Sequence, residues 1–193
     1  GLTQYPLSFT QDRLWLMDRQ LEDKSIYNMY LNVELPGDTN TIALQHAWHH
    51  LLNKHQVLRS KISVEEGRTQ QLILPADTFE EVEIKSASEF PNFLSQMKRS
   101  FDLEREPFSR AMLIRQASEK CWLLITIHHI ACDGWSLNVL KRDPTRLYEF
   151  YCQDESNRKA LPKDLEAIGF QYGDYALWQR EQLTSDHLEQ TLD

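Results

Sequence analysis

The segment that most constrains the fold is an apolar run in the second half of the chain, "CWLLITIHH", at residues 121–129. Side chains of a strand alternate between the two faces of a sheet, and this run is apolar at odd and even positions alike. It therefore predicts a strand that is buried on both faces, in the centre of a sheet. The preceding stretch "SRAMLIRQ", at residues 109–116, predicts its antiparallel neighbour, with a turn at "ASEK".

Helical and strand patterns alternate along the rest of the chain. Ser8 and Gln11 have the spacing of a capping box and predict an amphipathic helix at residues 9–21. Pro144 should kink or break a helix in the last third of the chain, because proline lacks the backbone N–H that a helix interior uses. The remaining predicted elements are strands at residues 30–37, a hairpin at 61–74 that turns at Glu66-Gly67, a strand at 80–86, and helices at 40–58, 88–101, 136–153 and 172–192.

Composition limits the classes of function. The 193 residues suffice for one domain, and a net charge of -8 without a basic stripe argues against a nucleic-acid partner. No stretch has the length of a membrane span and no signal-peptide pattern is present, so we expect a cytoplasmic protein without membrane contact. Cys121, Cys132 and Cys152 show no CxxC spacing, so we expect reduced thiols rather than a disulfide or a zinc site.

Several residues that could take part in catalysis lie together at the end of the predicted central strand. His128 and His129 are adjacent, so in a regular strand they face opposite sides and one of them should be structural. Gly134, after Asp133, permits a sharp turn that presents a backbone N–H near the strand end. A neutral histidine beside such a donor is the minimal arrangement for acyl transfer, in which the histidine handles a proton and the N–H stabilises an oxyanion.

Two other interpretations use the same residues. His128, His129 and Asp133 are of metal-ligand types, but adjacent strand residues diverge and no second ligand cluster follows, so we expect no metal site. Cys132 assisted by His129 is a candidate nucleophile, although nothing in the sequence marks its thiol as activated.

Several histidines and tryptophans lie elsewhere. His46, His49 and His50 fall on the face opposite the apolar face of the helix at 40–58 and include an i,i+4 metal spacing. Without a clustered partner they predict a solvated polar face. The tryptophans are expected in the core or at an interface between lobes: Trp15, Trp48, Trp135 and Trp178.

The strand-end stretch "HHIACDGWS" resembles the HHxxxDG signature of the condensation domains of nonribosomal peptide synthetases, relatives of chloramphenicol acetyltransferase. Other stretches resemble further family segments in the expected order. "LSFTQDRLWLMDRQLEDKSIYN" resembles the opening SxAQxRLWxLxQL segment, and "KHQVLRSKI" the RHExLRTxF stretch. "FDLEREPFSRAML" is similar to the segment before the histidine hairpin, and "YGDYALWQ" to YxDFAxWQ. The resemblance covers essentially the whole chain.

The resemblance implies an α/β two-layer sandwich like a chloramphenicol acetyltransferase lobe, with a mixed, largely antiparallel sheet. Residues 1–193 match one lobe, the N-terminal, donor-side half, so the C-terminal lobe of the domain is an expected partner. The implied reaction joins carrier-bound acyl or peptidyl and aminoacyl thioesters through an amide bond. The partners would be peptidyl carrier proteins with phosphopantetheine arms, and no cofactor would be bound directly.

Site residues carry over by position. The resemblance makes His129 the catalytic histidine, His128 its structural neighbour, Asp133 a buried orienting carboxylate and Gly134 the donor of the oxyanion N–H. Trp135, beside Gly134, is expected to support this arrangement.

The chain departs from the family pattern at the brace of Asp133. Lys54 stands where the family has the first Arg of RHExLR, and Gln56 replaces the Glu. Lysine lacks the planar fork of arginine, so we expect Lys54 to hold Asp133 more loosely. Arg59, which matches the second Arg of the family stretch, is retained and is expected to compensate.

The match to a single lobe also shapes the expected activity. An isolated lobe should be inactive, and its uncovered apolar surface should favour self-association. Two alternatives remain open: a non-catalytic module that docks carrier proteins, and an acyltransferase of the same fold that acts on a free alcohol or amine.

Overall fold

The structure, a computed structural model, describes residues 3–116, 120–132, 136–153 and 160–182. Within these ranges the strands are β1 (Gln4–Pro6), β2 (Asn28–Pro36), β3 (Ser60–Glu65), β4 (Arg68–Ile73), β5 (Glu80–Ile84), β6 (Ser109–Gln116) and β7 (Lys120–His128). The helices are α1 (Phe9–Gln20), α2 (Thr41–Lys54), α3 (Phe90–Lys98), α4 (Ser136–Tyr151) and α5 (Tyr172–Gln182). The part of the last predicted helix beyond residue 182 lies outside the described residues.

The two sheets confirm the predicted strand pairing. β7 lies inside a four-stranded sheet of order β2-β7-β6-β5, antiparallel to both of its neighbours. β5 pairs with β6 in parallel, so this sheet is mixed but largely antiparallel. The smaller sheet, of order β1-β4-β3, is antiparallel. The apolar run thus forms the central strand that its pattern predicts.

The hairpin between β3 and β4 turns where the sequence predicts. Glu66 and Gly67 connect the two strands, with φ angles of 52° and 76°. Both angles lie in the left-handed region, and a two-residue hairpin turn with positive φ at both positions matches the right-handed twist of the strands. Glycine takes this conformation without a steric cost, which is why it fits the second position.

Helices cover both faces of the larger sheet. On one face, Leu123 and Ile125 of β7 lie in a core cluster with Leu51 of α2 and Leu147 of α4. On the other face, Leu124 lies in a cluster with residues of α3 and β6. Alternate side chains of β7 therefore pack into two different cores, one on each face of the sheet. Helix α3 covers the second face, in addition to the sheet layer and the helix layer that were predicted.

The start of α1 confirms the predicted capping box. The Ser8 side chain accepts a hydrogen bond from the Gln11 N–H at 3.2 Å, and Gln11 Oε1 accepts one from the Ser8 N–H at 3.0 Å. These bonds satisfy backbone donors that the first turn of a helix leaves unpaired.

Of the two outcomes expected at Pro144, a kink or a break, helix α4 shows that the helix is not broken. The helix continues through Pro144 to Tyr151. Proline removes one hydrogen bond of the interior, but Leu140 and Leu147, one turn before and one turn after, are both buried in the same core. Packing on both sides of Pro144 holds the helix together. Among the described residues no helix combines the length and the apolar composition needed to cross a bilayer.

We predict that Gly173→Ala destabilises the fold, because α5 packs closely on β1. A Cβ atom at Gly173 would lie 2.5 Å from Cγ of the buried Tyr5 ring. Overpacking of this kind costs about 1–3 kcal/mol, measured as the free energy of unfolding in urea. Gly169→Ala is the matched control, since a Cβ there has no neighbour within 4 Å. Equal stability of the two variants would contradict the prediction.

Candidate functional site

Backbone hydrogen bonds fix the end of β7. The N–H of His128 donates to the Phe108 carbonyl at 2.8 Å, and the N–H of His129 donates to the Tyr27 carbonyl at 2.8 Å. The chain then turns, since the Ala131 N–H donates back to the carbonyl of His128 at 3.0 Å. Both histidines are therefore anchored by backbone hydrogen bonds to the residues that directly precede β6 and β2.

His128 points into the protein. Its side chain is fully buried between the rings of Tyr27 and Phe101. Nδ1 accepts a hydrogen bond from the Ile130 N–H at 3.1 Å, which assigns the ring proton to Nε2. Burial lowers the pKa of His128 to about 4, so the ring is neutral at neutral pH.

Asp18 lies beneath His128 and was not predicted from the sequence. Its Oδ1 is 3.5 Å from His128 Nε2, and its Oδ2 is 3.2 Å from Lys24 Nζ. Asp18 follows Trp15 by three residues and shares the buried face of α1 with it. That spacing was the signal available in the sequence, because residues three apart lie on one face of a helix.

His129 points out of the sheet into a pocket of about 690 Å³. Cys132 and His55 also line this pocket, between α1, the end of α2, the start of α4 and residues 168–175. Most of the lining is apolar and includes Leu14, Val57, Ile130, Val139, Leu140 and Phe170. An exposed imidazole in apolar surroundings can take a proton from a bound group while water is displaced.

A buried ion pair stands behind the pocket. Lys54 Nζ is 2.7 Å from Asp143 Oδ2, and both side chains are buried. Lys54 also donates to the carbonyl of Asp164, and Arg142 contacts Asp143 Oδ1 at 2.8 Å. Burial alone would raise the pKa of Asp143, but the hydrogen bonds from Lys54 and Arg142 lower it below its usual value.

This pair gives Lys54 a partner that the sequence did not predict. Among the described residues, the carboxylate that Lys54 binds is Asp143 of α4. Asp133 lies outside the described residues, so its expected contact with Lys54 stays a prediction. Arg59 donates to two backbone carbonyls instead, those of Leu52, at 3.1 Å, and Leu74. These bonds tie the segment after α2 to the end of β4, and a contact of Arg59 with Asp133 stays a prediction.

The other residues of the motif are not placed by the structure. Asp133, Gly134 and Trp135 lie outside the described residues. Their expected roles as orienting carboxylate, oxyanion donor and support therefore stay predictions.

The histidines of α2 differ from the expected solvated face. His46 and His49 are exposed, as predicted, but His50 is partly buried. Its ring nitrogens lie 2.9 Å from the Tyr151 hydroxyl and 3.0 Å from the Leu165 carbonyl. His50 therefore ties α2 to α4 and to the segment after it.

The remaining expectations concern metal ligands and tryptophans. Within the described ranges, no three His, Cys, Asp or Glu side chains are grouped as a metal site would need. Trp15 and Trp48 are buried, whereas Trp178 is exposed. Cys132, the alternative nucleophile, is buried in the wall of the pocket next to His129.

Comparison with known proteins identifies this arrangement. Residues 2–193 match the model of the condensation-domain family. The chain belongs to that family. Malpinin synthetase of Mortierella alpina is 37% identical over 191 residues, which are 95% of this chain and 2% of that protein. The dimodular nonribosomal peptide synthase of Bacillus subtilis (strain 168) is 34% identical over 185 residues, 94% of this chain and 8% of that protein.

Solved condensation domains share the fold. The starter condensation domain of rhizomide synthetase RzmA superposes with a TM-score of 0.76 at 17% identity, over 97% of this chain and 46% of that chain. The predicted α/β lobe and the resemblance to condensation domains are confirmed. The chain spans a small part of the curated relatives and just under half of this solved domain.

We predict that Asp143→Ala destabilises the protein by about 3–5 kcal/mol, because it leaves the buried Lys54 cation without its carboxylate. The measurement is the free energy of unfolding in urea. The control is Lys54→Met/Asp143→Leu, which replaces the pair by apolar side chains and should restore most of the loss. A stable Asp143→Ala variant would show that the pair is not needed.

We predict a second effect on stability, from His128. Its pKa is about 4 in the folded state, against 6.5 for the free side chain. Between these values the unfolded chain binds a proton that the folded chain does not, so stability falls as the pH falls from 6.5 to 4, by about 3 kcal/mol. Urea unfolding at several pH values measures this slope. It should be shallower in His128→Gln, and an unchanged slope would refute the assignment.

Proposed function

We propose that this chain supplies the donor-side half of a condensation domain that forms amide bonds in a nonribosomal peptide synthetase. The observation that carries the proposal is the contrast between two adjacent histidines. His128 is buried and neutral, whereas His129 opens into an apolar pocket. One imidazole thus supports the strand end, and the other is free for chemistry.

In the proposed reaction the amine of an aminoacyl thioester attacks the carbonyl carbon of an acyl or peptidyl thioester. A C–N bond forms, the C–S bond breaks, and the thiol of the donor arm leaves with a proton. His129 positions the amine and takes its proton, which general acid–base catalysis requires near the reacting nitrogen. The apolar lining disfavours water, which would otherwise hydrolyse the thioester.

The proposed partners follow from this chemistry. Carrier proteins would deliver both thioesters on phosphopantetheine arms, which enter as substrate rather than as a resident cofactor. Relatives include a nonribosomal peptide synthase, which supports this assignment. We propose that the remainder of a condensation domain supplies the wall opposite His129, since the pocket is built here on one side by α1, α2, α4 and residues 168–175.

We predict that His129→Ala, in a complete condensation domain carrying this chain, lowers product formation at least about a hundredfold. The reason is the loss of the group that handles the proton of the amine. The assay follows amide product by mass spectrometry, with both substrates loaded on carrier proteins.

His128→Ala is the matched comparison. It removes a buried ring that contacts Tyr27 and Phe101, so its effect should appear first as lower thermal stability. Unchanged turnover of a folded His129→Ala enzyme would remove His129 from the mechanism.

A further inference from the structure

His55 is a second histidine of the pocket that contains His129. It follows the last residue of α2, and its backbone is fixed on both sides. Its N–H donates to the Leu51 carbonyl at 2.9 Å, and its carbonyl accepts from the Leu58 N–H at 3.0 Å. The imidazole therefore starts from a rigid point of the fold.

A buried carboxylate stands behind the His55 ring. Asp143 Oδ2 lies 3.9 Å from His55 Nε2, too far for a hydrogen bond but close enough to orient an N–H. Within the described chain Nε2 is buried and has no hydrogen-bond partner. Burial and the Lys54 cation lower the pKa of His55, and Asp143 opposes this effect. The ring is therefore neutral at neutral pH and keeps one nitrogen with a free lone pair.

His50 shows what a structural histidine of the same helix looks like. Both of its ring nitrogens lie within hydrogen-bond distance of groups outside α2. In His55, in contrast, Nε2 lies beyond hydrogen-bond distance of Asp143 and has no other partner among the described residues, although the side chain is only 21% exposed. Because Nε2 faces Asp143, the other ring nitrogen, Nδ1, is the one that a ligand in the pocket can reach.

The polar groups of a substrate need partners in this pocket. Gln171, which also lines it, donates to the carbonyls of Lys54 and Ile168 and accepts from the Gln56 N–H. Its amide is therefore committed to the fold. An aminoacyl group brings an amine and a carbonyl, and in a largely apolar lining an imidazole is a suitable hydrogen-bond partner for them.

We propose that His55 is a second substrate-contacting histidine, which hydrogen-bonds the aminoacyl acceptor while Asp143 orients its ring. This inference rests on the proposed function and assigns the polar contact of its acceptor substrate. His129 handles the proton of the amine, and His55 fixes the acceptor so that the amine reaches the thioester carbon.

The test compares three variants in a complete condensation domain carrying this chain. His55→Ala should lower kcat/KM for the acceptor about tenfold or more, with little change for the donor. His55→Gln, whose amide can still donate and accept, should recover part of the loss. His49→Ala is the matched control, because His49 is an exposed histidine of the same helix. It should leave kcat/KM and thermal stability unchanged.

The outcomes separate this inference from the proposed function. A folded His55→Ala enzyme with normal acceptor kinetics would overturn the role of His55 while condensation by the wild type still stands. An equal loss for donor and acceptor, without rescue by His55→Gln, would assign His55 to packing and also overturn it. A wild-type domain that forms no amide product would instead overturn the proposed function.

Discussion

The pocket depends on one buried cation. The ammonium group of Lys54 binds the Asp143 carboxylate of α4 and the Asp164 carbonyl, and the Lys54 carbonyl accepts from the side chain of Gln171. Three walls of the pocket, the end of α2, the start of α4 and the segment around Gln171, therefore meet at one residue. A buried charge is costly unless its hydrogen bonds are satisfied, so this set of partners tolerates little rearrangement. His55 is the next residue in the chain, so the fixed position of Lys54 also restricts the backbone of His55.

The end of β7 determines where two adjacent imidazoles lie, those of His128 and His129. The period of two sends His128 into the core and His129 outward, so neither ring needs a special backbone to face its own side. The buried ring uses Nδ1 to bind the Ile130 N–H, which also fixes the first residues of the turn. Structural support and exposed reactivity are thus divided between neighbours in the sequence, and a shift of register by one residue would exchange them.

Local elements were predictable from the sequence because their signals are local. The apolar run gave the central strand, and Glu-Gly gave the hairpin turn between β3 and β4. Which side chains pair across the fold was not predictable from such local signals. Lys54 and Asp143 are 89 residues apart, and their contact depends on how α2 and α4 pack. Asp143 follows Leu140 by three residues and precedes Leu147 by four, which places it on the buried face of α4. That spacing indicated that Asp143 is buried, but it did not show that Lys54 is the cation that pairs with it.

The same electrostatic arrangement occurs beside two histidines. Asp18 lies 3.5 Å from His128 and is paired with Lys24, and Asp143 lies 3.9 Å from His55 and is paired with a lysine of α2. A carboxylate alone would favour the protonated imidazolium. Burial has the largest effect and lowers the pKa of both histidines, and the nearby lysine adds a smaller effect in the same direction. The carboxylates can therefore orient the rings without charging them. A neutral ring keeps a lone pair, which His128 uses for the turn and which His55 holds available at the pocket.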